Sequence, residues 1–262
     1  MTFLGLSGLI NFITSLLLGI FVLIRNPKNA INRAYFYGNS AITIYSIGYL
    51  FWQLAQSYIL ALFWFKFLTI GIILINIAYL HFVFTFLGIF DKKRKELLIY
   101  FFVNIVFIIL NLNLKLYSGL EPRYNFGWWP IPTTIFHFYL IFWFWQCFYG
   151  FWWLLREYRI TMGLRHEQIK YFALAVAVGF LGGATNWLMW YKIRFPPYAN
   201  ILISLYVFII AYAILRHRLM DINIAITRAG IFAVVYTLVL GLPFVAIKFL
   251  KPVLMPLWGV YW

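Results

Sequence analysis

The stretch YAILRHRLMDINIAITR, residues Tyr212 to Arg228, decides how the chain is read. Upstream of its basic centre, an apolar run from Tyr198 to Leu215 stops at Arg216, His217 and Arg218. Downstream, a second apolar run extends from Ala229 to Ile247. Two segments of membrane length joined by a basic junction predict a polytopic membrane chain. The junction should lie on the cytoplasmic face, where lysine and arginine are retained. It is also where movement within the bilayer could pass to something soluble.

Outward from that junction the same pattern repeats. Of 262 residues, 65% are hydrophobic and only 10% charged, and the mean hydropathy is +0.89. Soluble domains hold about 25% charged and 45–50% apolar residues, so this chain is solvated mainly by lipid. Eight long gaps separate the charged side chains: 1–24, 34–65, 67–90, 97–114, 124–155, 171–191, 195–215 and 229–247. A helix needs about 20 apolar residues to cross roughly 30 Å of hydrocarbon. Each gap therefore holds one crossing; 97–114 is short, and 34–65 and 124–155 each include an extra turn or loop. Backbone groups in lipid must be satisfied within their own segment, which predicts helices. A β-barrel would need repeated alternation over about ten residues, and these runs lack it. The expected fold class is an all-α, polytopic membrane bundle with a seven-helix core plus an eighth transmembrane helix over about 229–247. The core helices are predicted over about 3–24, 34–56, 65–90, 97–114, 134–155, 171–191 and 198–215.

The formal net charge of +15 does not imply a nucleic-acid partner, because the charge is sorted. With the N-terminus outside, the loops at 25–33, 91–96, 156–170 and 216–228 are cytoplasmic and hold 14 of the 21 Lys+Arg. Lys66, Lys115, Arg123, Lys192, Arg194, Lys248 and Lys251 fall on the other side or at its edge. This is the positive-inside bias, and it places the chain in the inner (cytoplasmic) membrane with the lipid bilayer as its main partner. Cys147 is the single cysteine, so no disulfide can form within the chain. The first helix has no basic residue before it and no small-residue cleavage site, so it reads as a retained helix.

Several features invite a site. Ser7, Asn11 and Ser15, followed by Gly19, form a small polar stripe, and Asn39, Thr43, Ser46 and Gln53 form another. Such stripes usually pack against other helices; the functional alternative is a polar ligand pocket. The outer loop 115–133 interleaves Tyr117, Tyr124, Phe126, Trp128 and Trp129 with glycines and prolines that forbid a continuing helix. Its tryptophans suit the headgroup layer or a lid over a pocket. Asn39, Thr43, Gln53, Trp128 and Trp129 are thus the candidate ligand contacts, and Arg216, Arg218 and Asp221 the candidate signal relay. The Asp91–Glu96 run reads as a compact cytoplasmic turn, and Arg156–Lys170 as a solvated one. The Gly179/Gly183 spacing matches the small-xxx-small pattern of close helix contact. His81 and His137 read as hydrogen-bonded packing residues before they read as ligands or pH sensors.

Catalytic chemistry is not expected. All six acidic residues fall in predicted loops, whereas ion-coupled transporters place carboxylates inside the membrane. No HExxH, no phosphate-binding glycine loop and no lysine in the seventh helix for a Schiff base occur, so no catalytic residue, metal site or cofactor is assigned.

Seven helices with the N-terminus outside, ending in Tyr212-Ala213-Ile214-Leu215-Arg216-His217-Arg218-Leu219-Met220-Asp221-Ile222, resemble the N-terminal seven-helix membrane region of bacterial sensor histidine kinases. The resemblance spans about Leu4 to Ile222, and the Y-A-I-L-R-x-R-L-M-D-I run is its most specific part. It implies a sensory region over 4–222, followed over 223–262 by a connector, the eighth helix and an apolar tail too short to recross the bilayer. It further implies a membrane-embedded, non-enzymatic input module of a two-component system that reads an unidentified stimulus or small ligand. The chain would then be a fragment or degenerate copy of something longer, with homodimerisation through a cytoplasmic output domain outside these residues. The alternative is a small-solute transporter, which measurable flux would distinguish from binding without flux.

Overall fold

The computed structural model describes residues 3–124 and 126–217. They form α1 (Phe3–Arg25), α2 (Ala30–Leu54), α3 (Tyr58–Phe86), α4 (Phe90–Leu112), a hairpin of β1 (Tyr117–Pro122) and β2 (Trp128–Pro132), α5 (Thr134–Ile160), α6 (Gly163–Trp190), a 3₁₀ turn (Tyr198–Ile201) and α7 (Leu202–His217). Five helices, α1 and α3 to α6, are long and apolar enough to cross a membrane. α2 has the length but carries Asn32, Arg33, Asn39, Ser46 and Gln53. α7 has 16 residues. The connector, the eighth helix and the tail expected over 223–262 lie outside the described residues.

Local chemistry sets the helix ends. Asn29 caps α2 by accepting from the amides of Ile31 and Asn32 at 2.8 and 3.3 Å, which satisfies two orphan donors of the first turn. Ser57 caps α3 in the same way through the Leu60 amide. α3 ends where Gly88 adopts φ +72°, the left-handed conformation that glycine enters without a Cβ clash. The chain re-enters a helix at once, so the charged run Asp91–Glu96 is the start of α4, not a turn. Asp91 sits in its first turn, favoured by the helix dipole, and Lys93 pairs with Glu96 at 2.6 Å. Residues 163–170 are likewise the first turns of α6, and 58–64 those of α3. Charge gaps mark where hydrocarbon stops; a helix continues past that level because water solvates its outer turns.

The helices close into a ring, α1–α2–α3–α5–α6–α7, with α7 returning to α1 and α4 docked outside on α3. Glycine permits the tightest crossings. A Cβ on Gly71 of α3 would lie 2.4 Å from the Tyr45 amide nitrogen of α2. In α6 the close approach belongs to Gly182, whose Cβ would lie 2.6 Å from the Ala199 carbonyl oxygen. Gly179 and Gly183 make only ordinary contacts with Tyr206 and Ile203, so the small-xxx-small pair is not the crossing point.

α4 is polar inside and apolar outside. Its buried residues are Asn104 and Asn111, which donate to the Gln146 side chain at 2.9 Å and the Lys66 carbonyl at 3.0 Å. Leu98, Ile99, Phe102, Val106 and Ile109 are exposed, a face that only hydrocarbon solvates without cost. Lys66 closes the other end of this contact by donating to the Leu112 carbonyl at 3.0 Å.

The outer loop is an antiparallel hairpin, with Glu121 opposite Trp129 and Pro122 opposite Trp128 and a register irregularity between Tyr117 and Leu120. It docks at the end of the bundle formed by the C-termini of α2, α4 and α6; the basic loops gather at the opposite end. Arg123, only 4% exposed, anchors it by donating to the Met189 carbonyl near the end of α6 and to Glu121 at 3.0 Å. Glu121 also pairs with Lys192 at 3.3 Å, and the Tyr124 hydroxyl donates to the Lys192 carbonyl at 2.8 Å.

Candidate functional site

Inside the ring lies a cavity of about 130 Å³. Its wall follows directly from side-chain spacing. Tyr35, Gly38, Ile42, Tyr45, Tyr49 and Trp52 of α2 alternate by three and four residues, as do Phe65, Leu68, Ile72, Ile75, Tyr79 and Phe82 of α3. That spacing keeps one face of a helix turned inward. α6 adds Phe172, Val176, Gly183, Asn186 and Trp190, α5 adds Trp143, α7 adds Tyr206, and Trp129 closes the hairpin end. Among the described residues no charged side chain lines the cavity. Its aromatic rings form a continuous set: Trp129 meets Trp52 edge-on at 4.8 Å, Trp52 meets Phe65 at 5.1 Å, and Phe65 meets Trp190 at 5.5 Å.

A buried polar cluster stands against this wall where the 3₁₀ turn leads into α7. The Asn200 side chain accepts from the Tyr45 hydroxyl at 2.6 Å and from the Asn186 amide at 3.2 Å, and donates to Ser7 at 3.0 Å. Its backbone carbonyl accepts from Asn11 at 3.1 Å, and Ser204 of α7 donates to the Asn11 side chain. The Tyr49 hydroxyl extends the cluster to Asn186 at 3.0 Å. Asn200, Asn11 and Ser7 are fully buried, so these bonds compete with no water. α1, α2 and α6 thus converge on the residue that starts the path into α7, and three members of the cluster, Tyr45, Tyr49 and Asn186, also line the cavity.

The structure separates the residues singled out from sequence. Trp129 is fully buried in the cavity wall, with its indole N–H on the Phe126 carbonyl at 3.0 Å. Trp128, half-buried, packs on Tyr58 at 5.5 Å outside the cavity. Asn39 is buried behind the wall beside Tyr35 and Tyr206 and packs against Gly19 of α1. Thr43 donates to the Asn39 carbonyl at 2.7 Å, and Gln53 is half-buried near the end of α2. The polar stripe of α2 therefore faces α1, one helix face away from the cavity. Ser7 and Asn11, from the first stripe, join the Asn200 cluster. Arg216 lies in the last turn of α7; Arg218 and Asp221 lie outside the described residues. His81 is packed between the rings of Tyr37 and Phe90, and His137 against Tyr191.

At the hairpin end, burial pushes the Glu121 carboxyl up, but Lys192 and Arg123 outweigh it and hold the group below the usual carboxylate range. At the basic end, cations lie over rings: Lys93 over Trp153 at 5.0 Å, Arg156 over Trp153 at 5.0 Å and Arg165 over Phe86 at 4.2 Å. Long basic side chains with their stems on aromatic surface are suited to the headgroup layer.

No curated protein and no solved structure matches the chain. The family model described as the N-terminal 7TM region of histidine kinase matches residues 8–223, a span that takes in the hairpin, every residue lining the cavity, and all of the ring and the Asn200 cluster except the first turn of α1 with Ser7. The chain is multi-pass and membrane-embedded, and it belongs to the family of N-terminal seven-transmembrane regions of histidine kinases.

Proposed function

We propose that this chain is the sensory input module of a bacterial signal-transduction protein, in which occupancy of the central cavity changes the set of α7. One observation carries the reading. The side chains that wall the cavity, Tyr45, Tyr49 and Asn186, are the same ones that hold Asn200 at the entry to α7. A ligand that moves any of them biases the Asn200 cluster, and α7 leads straight to the basic junction at Arg216. There Arg216, Arg218 and Asp221 relay the change, with the N-terminus outside and the junction cytoplasmic, as the charge distribution favours. Chemistry belongs to a separate output domain, and pairing of two copies would act through it. Two discrete arrangements of packed helices are needed for such coupling, and in this reading the switching element is the buried Asn200 node.

The test is a pair of spin labels, at Leu205 on α7 and Tyr37 on α2, in the chain reconstituted in nanodiscs. Both positions are exposed. A cavity ligand should shift the interlabel distance distribution, and Asn200→Ala should abolish the shift while ligand binding persists. Binding with no shift in the distribution would remove α7 from the pathway. Saturable flux of the ligand across proteoliposomes would favour a transporter instead.

A further inference from the structure

The sensory reading leaves the chemistry of the ligand open, and resting on that reading we infer that the cavity takes a small, uncharged, mostly apolar molecule bearing carbonyl-type hydrogen-bond acceptors. The wall excludes ions first. Among the described residues no Asp, Glu, Lys, Arg or His lines it, and moving an ionised group from water into such a site without a partner is strongly unfavourable. Aromatic faces attract cations, yet among the described residues none of the acidic ones, Asp91, Glu96, Glu121, Glu157 and Glu167, is in the wall, so a cation would find no counter-charge there.

The second observation distinguishes an acceptor-bearing ligand from a plain hydrocarbon. The indole N–H groups of Trp52, Trp143 and Trp187 are buried and have no acceptor among the described residues. These three side chains are 3%, 5% and 7% exposed, and all three line the cavity. An indole N–H can only donate, and buried donors are almost always paired in folded proteins. Trp129 illustrates the rule in the same wall, since its N–H reaches the Phe126 carbonyl. Among the other polar side chains of the wall, Tyr45 and Tyr49 donate to Asn200 and Asn186, and the Asn186 amide reaches both the Gly183 carbonyl and Asn200. The buried Tyr35 and Tyr79 hydroxyls have no hydrogen-bond partner among the described residues and add two further O–H donors that can also accept. The wall therefore offers aromatic surface and surplus donors, with no surplus acceptor in its indoles. Its complement is an apolar body with one or more carbonyl oxygens.

The experiment uses the chain in nanodiscs and three probes of similar bulk: benzophenone (an acceptor), diphenylmethane (the same rings without one) and benzyltrimethylammonium (a cation). Equilibrium dialysis of the radiolabelled probes, with protein-free nanodiscs subtracted, reads specific uptake. Benzophenone should bind saturably with one site per chain, at least tenfold tighter than diphenylmethane, and the cation should not bind. The triple variant Trp52→Phe/Trp143→Phe/Trp187→Phe, checked for an unchanged melting transition, should lose that tenfold preference; if it fails to fold, the probe comparison on the unaltered chain stands alone. Equal uptake of benzophenone and diphenylmethane would overturn the ligand chemistry while leaving the cavity as a site. Preference for the cation would overturn it as well. Saturable uptake of none of the three would sink both the ligand chemistry and the cavity as a small-molecule site.

Discussion

Replacing Asn200 by alanine should cost about 3–5 kcal/mol of stability, and the figure follows from its contacts. The side chain makes three interhelical or turn-to-helix hydrogen bonds, with Tyr45, Asn186 and Ser7. Side-chain bonds within membrane bundles contribute about 0.6 kcal/mol on average and up to about 1.7, so the three amount to about 2 kcal/mol. The partners then differ in what remains to them. Ser7 keeps the Leu4 carbonyl and Asn186 keeps the Gly183 carbonyl, but the Tyr45 hydroxyl is left buried without its acceptor. An orphaned buried group costs about 1–3 kcal/mol. Unfolding in mixed micelles with rising sodium dodecyl sulfate, followed by circular dichroism, reads the total. The control is Asn113→Ala, because Asn113 is exposed and bonds only its own helix; its cost should stay below about 0.5 kcal/mol. In a Tyr45→Phe background, where no hydroxyl can be orphaned, Asn200→Ala should cost about 1–3 kcal/mol less. Equal costs for the Asn200 and Asn113 variants, or an Asn200 cost indifferent to Tyr45→Phe, would refute the node.

Three further outcomes are expected. Gly71→Ala should destabilise the bundle by about 1–3 kcal/mol through overpacking, because its Cβ meets the Tyr45 backbone, whereas Gly38→Ala, with nothing within 4 Å of the new Cβ, should leave the same unfolding curve unchanged. The depressed Glu121 carboxyl contributes stability that is full above its unfolded pKa of about 4.3 and is lost as pH falls through its lower folded value; amide protection factors across β1 and β2, taken against the intrinsic exchange rate at each pH, should therefore fall in acid, and Glu121→Gln should flatten that dependence at uniformly lower protection. For sidedness, single cysteines at Ser118 and Lys92, both exposed, in a Cys147→Ala background should label with an impermeant reagent from outside and inside respectively, and the reverse pattern would invert the orientation.

The sequence by itself determined where the chain meets lipid and which ends of its helices are basic. Solvation by hydrocarbon is a local property, legible in uncharged gaps and in the placement of lysine and arginine. The same locality misplaced several helix ends, since Asp91–Glu96 and residues 163–170 are helical although charged. The rows at 35, 38, 42, 45, 49 and 52 and at 65, 68, 72, 75, 79 and 82 repeat at helical spacing, yet sequence alone did not single them out. Nothing in one helix, however, tells whether such a face meets a neighbour, lipid or a cavity, and attention to the polar stripes of α1 and α2 pointed one face away. Only the tertiary structure brought Asn200 to Asn11, 189 residues distant in sequence, buried Arg123 under the end of α6, and turned Trp129 inward while leaving Trp128 outside. Those placements depend on ring closure between α1 and α7, and on glycines such as Gly71 and Gly182 that let backbones meet. Close packing of distant segments is a many-body outcome, and no single stretch of the sequence encodes it.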